Sequence, residues 1–429
     1  MYQTNPLDWA MPSRYVMSGV ETIRQRGHST DRGRYATTTF LQWMYLRSVF
    51  HRGYVLTSAL YFVVAAHLSA SHLVLLGTIM SLTLVVCDIP AGVWADAIGR
   101  RWPLVLGQLV LGAGMVLTGL VTTFPLLVVT QMLWGLGWAF LNGADSAWLN
   151  DELHDPHRIA RLLTASARWD RAGGASGMIA LGLLAWATSL ATAIVVSGVA
   201  MALLAVLVTV RFKERHFTPT REKRWAASRA VFQRGLRLAR RDHEILLVSL
   251  ATVLFNAAAM VSWLYPKQLI TLGLPRDPVL WYVLLGIVSA ALGFVALRVV
   301  EARIDGVGSA RRFYALACFS GALGLLVLAV APVALIGGVG VLVMTGLADS
   351  VTRSISVVWV NRRTRSDVRA TVHSFLSQAE SIGEISGGVA LAAVAQATNT
   401  AITLMIAGAL IATTGLIVAR SRADRHAVV

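Results

Sequence analysis

Apolar stretches of about twenty residues recur from one end of this 429-residue chain to the other, and that feature dictates most of what it can become. A helix rises 1.5 Å per residue, so about twenty residues cross a hydrocarbon core about 30 Å thick. In lipid every backbone polar group must be bonded internally, which leaves helices or closed barrels. Barrel strands would alternate apolar and polar residues over about ten positions, and this chain has no such alternation. Its composition is 56% hydrophobic and 14% charged, against roughly a quarter charged in soluble domains. The sequence predicts an all-α polytopic membrane protein embedded in the lipid bilayer.

Charge then sets the topology. The net charge of +16 would raise the question of nucleic acid in a soluble protein, but here it is concentrated between apolar runs. Arg211 to His243 holds 11 Lys/Arg against 3 Asp/Glu, and further clusters fall at Arg100–Arg101, Arg158–Arg161, Arg298–Arg312, Arg362–Arg369 and Arg420–Arg425. The alternate connections HLSASH, VTTFP, ATSLAT, VAP and ATNT carry no Lys or Arg; only the loop near Lys267 and Arg276 breaks the pattern. Basic loops stay in the cytoplasm. Both termini are therefore expected inside a cell membrane, and no nucleic-acid partner is expected. Cys87 and Cys318 lie in separate apolar runs without metal spacing, as small buried hydrophobes.

Twelve helices are expected, at about 41–68, 72–96, 102–122, 125–152, 158–187, 189–210, 244–272, 278–300, 311–331, 333–360, 369–397 and 400–420. They divide into a cytoplasmic arm (1–36), a six-helix bundle (37–210), a basic central loop (211–243), a second six-helix bundle (244–420) and a tail (421–429). The central loop suits either a surface helix or a solvated linker. Ala144-Asp145-Ser146 ends the fourth helix and Ala348-Asp349-Ser350 recurs in the tenth. Each is followed by a basic turn and then a helix with acids and glycines, WDRAGGASG or AESIGEISGG. The two bundles are accordingly expected to be pseudo-symmetric repeats.

Apart from cysteine, tyrosine and the arginines at their very ends (Arg311, Arg312 and Arg420), the third, sixth, ninth and twelfth helices have no ionisable group in their spans, whereas the first, fourth, fifth, tenth and eleventh have several. A charge facing lipid costs at least about 2.5–3.5 kcal/mol at a helix centre, so these groups should face a cavity or each other. A central cleft lined by charged helices is the layout of a transporter.

Between the second and third helices stands GVWADAIGRR. With twelve helices and a central loop around it, the chain resembles the major facilitator superfamily, whose signature reads Gly-x-x-x-Asp-x-x-Gly-Arg-Arg/Lys at this place. The matching positions are Gly92, Asp96, Gly99, Arg100 and Arg101. The stretches VLLGT, DIPAGVWAD, LWGLGWAFLNGADSAWLNDE and VRATVHSF are similar to the tetracycline-resistance-like drug:proton antiporter branch. The resemblance implies a latch closing the cytoplasmic side. Asp96 would meet the start of the eleventh helix near Arg369–Ser374, and Arg100 would meet Asp151 or Glu152 at the end of the fourth. Asp96 and Arg100, four apart, can also pair on one face. Two departures stand out: Gln131 replaces the arginine that many drug antiporters carry four residues before a glycine, and the fifth helix has glycines without the usual proline.

Inside the cleft, Asp170 lies about 12 residues, or roughly 18 Å, from its helix start, between Arg168 and Arg171. Glu380 and Glu384, at similar depth, share a face. Carboxyls brought together in a low dielectric can carry a coupled proton, so Glu380, Glu384, Asp170 and His51 are the proton-coupling candidates. A structural ion pair of Asp170 with Arg168 or Arg171 is the favoured alternative for that acid. Arg47, Arg52, Tyr54, Tyr61, Trp134, Trp138, Arg168, Arg171, Asn256, Trp263, Asp349 and Arg353 are the candidates for contact with a small-molecule substrate. Asp349 and Arg353 are expected to pair. Tyr265 extends the aromatic set, although interface anchoring also explains Trp and Tyr near helix ends.

The sequence has no GxxxxGK[ST], HExxH, GxSxG or zinc spacing, so neither ATP hydrolysis nor an enzyme is expected, and no metal or cofactor. Proton-coupled efflux of amphipathic, drug-like molecules by a monomeric carrier is the leading expectation. Transport of one metabolite, such as an organic anion, sugar or siderophore, is the second. A non-transporting sensor or scaffold is the third, disfavoured because a frozen scaffold needs no latch.

Overall fold

The computed structural model describes residues 14–153, 155–214, 242–274, 278–304, 307–364 and 366–421, with isolated positions between 233 and 240. Side chains before Tyr35 and at 366–371 lie outside the description. Among the described residues there are helices and turns but no strand. Helices α1 (Arg14–Val64), α2 (Ala70–Ile98) and α3 (Arg101–Leu120) are the first three spans. The fourth is α4 (Phe124–Leu141) with α5 (Ala144–Leu153). The fifth and sixth are α6 (Pro156–Ala187) and α7 (Leu190–Arg211).

The seventh span joins α8 (His243–Ala259), a 3-10 segment (Met260–Leu264) and α9 (Tyr265–Thr271). Helices α10 (Pro278–Glu301) and α11 (Val307–Val330) follow. The tenth span joins α12 (Ala334–Leu342), a π-helical segment (Val343–Asp349) and α13 (Ser350–Arg363). Helices α14 (Ser366–Ala397) and α15 (Thr400–Arg420) end the fold.

Nine spans among the described residues are long and apolar enough to cross a membrane. The remaining three, α1, α6 and α14, have 51, 32 and 32 residues and miss that standard through charge, since they carry Arg47, Arg52, Arg168, Asp170, Arg171, Glu380 and Glu384. Counted with these three long helices, the described residues are consistent with the twelve spans expected. The polar stretch before residue 37 is already helical from Arg14. Most of 211–243, all of 422–429 and residues 1–13 lie outside the described residues.

Local chemistry explains the helix ends. The side chains of Ser69, Ser189, Asp242 and Asn399 accept from backbone N–H groups in the first turns of α2, α7, α8 and α15, satisfying donors that a helix leaves unpaired. The fourth span breaks at Asn142-Gly143, where Gly143 takes φ +74°, a conformation that costs glycine nothing.

One contact occurs twice and defines the repeat. Gly173 and Gly177 of α6 lie on the backbone of Tyr45 and Val49 in α1, so close that a Cβ at either glycine would strike those carbonyls. Gly383 and Gly387 of α14 lie in the same way on Val253 and Ala257 of α8. Each pair is a Gly-x-x-x-Gly motif of the kind that lets membrane helices approach closely. In this register Asp170 and Glu380 are equivalent, each three residues before the first glycine. Around these pairs, α3 packs on α7 and α4, and α11 packs on α15 and α12.

The halves meet where α2 lies along α14 and α6 against α10. Two further contacts tie the seventh span to the end of the first. The Trp263 ring stacks on Phe62, 6.3 Å between centroids and 19° between planes, and Lys267 Nζ donates to the Leu68 carbonyl at 2.8 Å. The lysine that breaks the alternation of basic loops thus ties the seventh span to the end of the first.

Candidate functional site

The signature loop is knit to three other segments. Helix α2 ends at Ile98, and Gly99 turns the chain at φ +113°, ψ +165°. Arg100 Nη1 reaches back to the Asp96 carboxylate, and Arg100 Nε lies 3.6 Å from Asp151 on α5. The backbone N–H groups of Arg100 and Arg101 donate to the Glu214 carboxylate, from just beyond α7. That acid sits at the N-terminus of α3, where unpaired N–H groups and the helix dipole favour negative charge. Gly99 is doubly constrained, because an added Cβ would lie 2.5 Å from Glu214 Oε2. Asp96 is 8% exposed and Gly92 is buried, while Arg101 lies over the Trp102 ring at 5.3 Å. The expected meeting of Asp96 with the start of the eleventh span falls partly on side chains outside the description. Glu214 escaped sequence reasoning, as nothing in its spacing marks a partner more than a hundred residues away.

In the first half, Arg47 is committed to its neighbours. Its guanidinium carbon lies 4.5 Å from the Trp43 ring centre and 5.2 Å from that of Trp138, and Nη1 lies 3.9 Å from Asp145. His51 packs between Trp134 and Trp138, with centroids 5.5 and 5.0 Å away. Tyr54 is buried, its hydroxyl 3.1 Å from Thr118 Oγ1 and 3.4 Å from Gln131 Nε2. Gln131, where the resemblance expects an arginine, therefore joins a neutral network. Tyr61 is also buried, donating to the Val121 carbonyl at 3.1 Å.

The ion pair expected within the fifth span is not formed: neither Arg168 nor Arg171 lies within 4.0 Å of Asp170 (no such pair occurs among the described residues). Residues one or two apart on a helix do not face one another, which is the physical reason for that correction. The Asp170 backbone carbonyl instead accepts from Ser48 Oγ at 2.6 Å. Arg168 and Arg171 are exposed, and Arg52 runs beside Gly174.

In the second half the candidates converge. A cavity of about 210 Å³ lies between α2, the seventh span, the tenth span and α14, with Asn256, Trp263, Asp349, Arg353 and Glu384 in its wall. A smaller cavity shares Asn256, Asp349 and Arg353 and adds Glu380. Arg353 Nη2 pairs with Asp349 at 3.5 Å. Glu384 Oε2 accepts from Ser81 Oγ of α2 at 2.8 Å, a bond between the halves that sequence spacing could not reveal. The amide of Asn256 is held by the Thr252 carbonyl at 2.9 Å. Asp349 closes the π-helical segment, a feature often found at functional sites. No group of three or more His, Cys, Asp or Glu among the described residues has the arrangement of a metal site.

A bundle of membrane-length helices with acids and an arginine around a shared cavity has the layout of a membrane transport protein. The sequence profile of the Major Facilitator Superfamily matches residues 33–388, and the chain belongs to that family. Among solved structures, the nucleoside transporter NupG superposes with a TM-score of 0.74 at 12% identity, covering 90% of this chain and 100% of that one. The POT family transporter PepTSo gives 0.67 at 12% identity, covering 89% and 97%. A POT family transporter in complex with 5-aminolevulinic acid gives 0.67 at 12% identity, covering 88% and 95%. These likenesses are of fold. No curated protein matches the chain.

Proposed function

We propose that this transporter exports amphipathic small molecules in exchange for protons, by alternating access, as a monomer in the cell membrane with its basic loops in the cytoplasm. The observation that carries the reading is the set of three acids, Asp349, Glu380 and Glu384, that share two adjoining cavities with one arginine. Acids gathered inside membrane spans mark the proton and ion pathways of pumps and transporters. A group that exchanges a proton inside a membrane cleft is the element a proton-driven carrier needs. The 1–36 arm, the two bundles at 37–210 and 244–420, the 211–243 loop and the 421–429 tail are the units of this reading, and the signature loop around Asp96 is its latch.

The test is proton movement in sealed vesicles holding the purified protein and an interior pH dye. Several chemically unlike lipophilic drugs should each drive protons across, and Glu380→Gln should abolish that response while substrate binding persists. An unchanged response in Glu380→Gln would move the coupling site elsewhere. A second reading, a carrier for one specific metabolite, is favoured by the exposed guanidinium groups of Arg168 and Arg171, which suit an anion. A single saturable compound driving flux would establish it.

A further inference from the structure

The larger cavity has a composition that selects its occupant. Asp349 and Glu384 line it and Glu380 lines its smaller neighbour, while Arg353 is the only basic residue in either wall. Arg353 is engaged by Asp349 at 3.5 Å. Glu384 receives one hydroxyl, from Ser81, and no ion pair among the described residues involves Glu380 or Glu384. Three carboxylates thus share the field of one guanidinium that Asp349 already holds, which leaves an excess of negative charge at a place where charge is costly.

A second, independent feature points the same way. Tyr265 lines the cavity with Asp349 and is 3% exposed, yet its hydroxyl has no hydrogen-bond partner. Buried hydroxyls are normally bonded, and this one is placed to meet a group arriving in the cavity. Beside the polar side chains of Asn256, Ser262 and Thr345 the wall has an apolar, adaptable part: Trp263 offers an aromatic surface, and Met80, Met260 and Met344 supply unbranched, polarisable side chains. Aromatic faces attract cations. The space, about 210 Å³, is smaller than the roughly 300–1,000 Å³ of a drug-sized pocket.

We infer that this cavity is a binding site for a compact organic cation, an amine on an aromatic or other apolar body. Its ammonium lies among Asp349, Glu384 and the Tyr265 hydroxyl, and its body rests on Trp263 and the methionines. The inference rests on the exporter reading above and names the substrate class for it.

The test is equilibrium dialysis of full-length protein in lipid nanodiscs, with empty nanodiscs subtracted. The probes are protonated N,N-dimethylbenzylamine and, as a benzyl ion of opposite charge, phenylmethanesulfonate. The amine should bind and the sulfonate should not. Glu384→Gln, which keeps an acceptor for Ser81, should weaken amine binding tenfold or more. Arg353→Gln should tighten it, a change that a misfolded protein could not produce. Equal or stronger binding of the sulfonate, no binding of the amine, or indifference to both substitutions would each overturn the assignment. Drug-driven proton flux without amine binding would remove this site and leave the exporter. Amine binding without such flux would remove the exporter and leave the site.

Discussion

Gly99 answers at the scale of one residue why the signature loop needs a glycine. Its φ of +113° and ψ of +165° lie in a region essentially closed to side-chain-bearing residues, where strain costs of order 1–3 kcal/mol. Its missing Cβ also leaves room for Glu214 at the start of α3. Gly99→Ala should lower the thermal unfolding midpoint in detergent. Because the alanine displaces Glu214 as well, Gly99→Ala combined with Glu214→Ala should cost less than the two changes summed. Strict additivity would assign the whole cost to the backbone. The loop motif, the Asp96–Arg100 spacing and Asp349–Arg353 were legible because their partners stand four residues apart on one helix. Glu214, Ser81 and the reach of Arg47 to Asp145 were not, since those partners are brought in by distant segments and leave no periodic trace.

At the scale of elements, the apolar runs located the spans to within a few residues, because bilayer thickness and helix rise fix their length together. What they hid were the internal changes of helix type: the break at Asn142-Gly143, the 3-10 segment Met260–Leu264 and the π segment Val343–Asp349. The 3-10 and π segments sit inside largely apolar sequence, where only packing reveals them, whereas the Asn142-Gly143 break carries a turn dipeptide that the span-length reading ran through. The helical stretch from Arg14 was hidden for the opposite reason, as it is polar and shows no membrane-length apolar run. The glycine pairs make the sharpest statement about elements. Gly177→Val should force α6 off α1, and Gly387→Val should force α14 off α8. Overpacking of this kind typically costs about 1–3 kcal/mol, and both variants should unfold at lower temperature than a substitution at the exposed Gly308 of α11, which has nothing within 4 Å and no left-handed backbone. Equal midpoints for all three would show that these pairs carry no packing load.

At the scale of the molecule, the repeat was legible only as a shared tripeptide and two glycine-rich helices; the structure turns it into two equivalent helix contacts with Asp170 and Glu380 in matching places. Yet the halves have diverged in chemistry. The first surrounds its charges with tryptophan and commits Arg47 to Asp145. The second leaves carboxylates around open space. The internal symmetry therefore belongs to the scaffold, and the difference between the halves lies in how each accommodates its charges.

The three helices that are too charged to pass as spans also constrain how the protein is made. An ionised residue near a helix centre opposes insertion by about 2.5–3.5 kcal/mol, and α6 carries Arg168, Asp170 and Arg171, while α14 carries Glu380 and Glu384. Entering lipid alone, α14 would have to expose both acids, so its admission depends on a helix already there, α8, which meets it through the glycine contacts and shares a cavity with Glu380; Arg168 and Arg171 of α6 stay exposed in the folded protein as well. Membrane biogenesis is then cooperative, with the apolar spans admitted singly and the acid-bearing α14 by association. Glycosylation mapping should find α14 excluded from the bilayer as an isolated segment and inserted when α8 to α15 are synthesised together. Insertion of the isolated segment would mean that the charges of the cleft are tolerated by lipid without the protein's help.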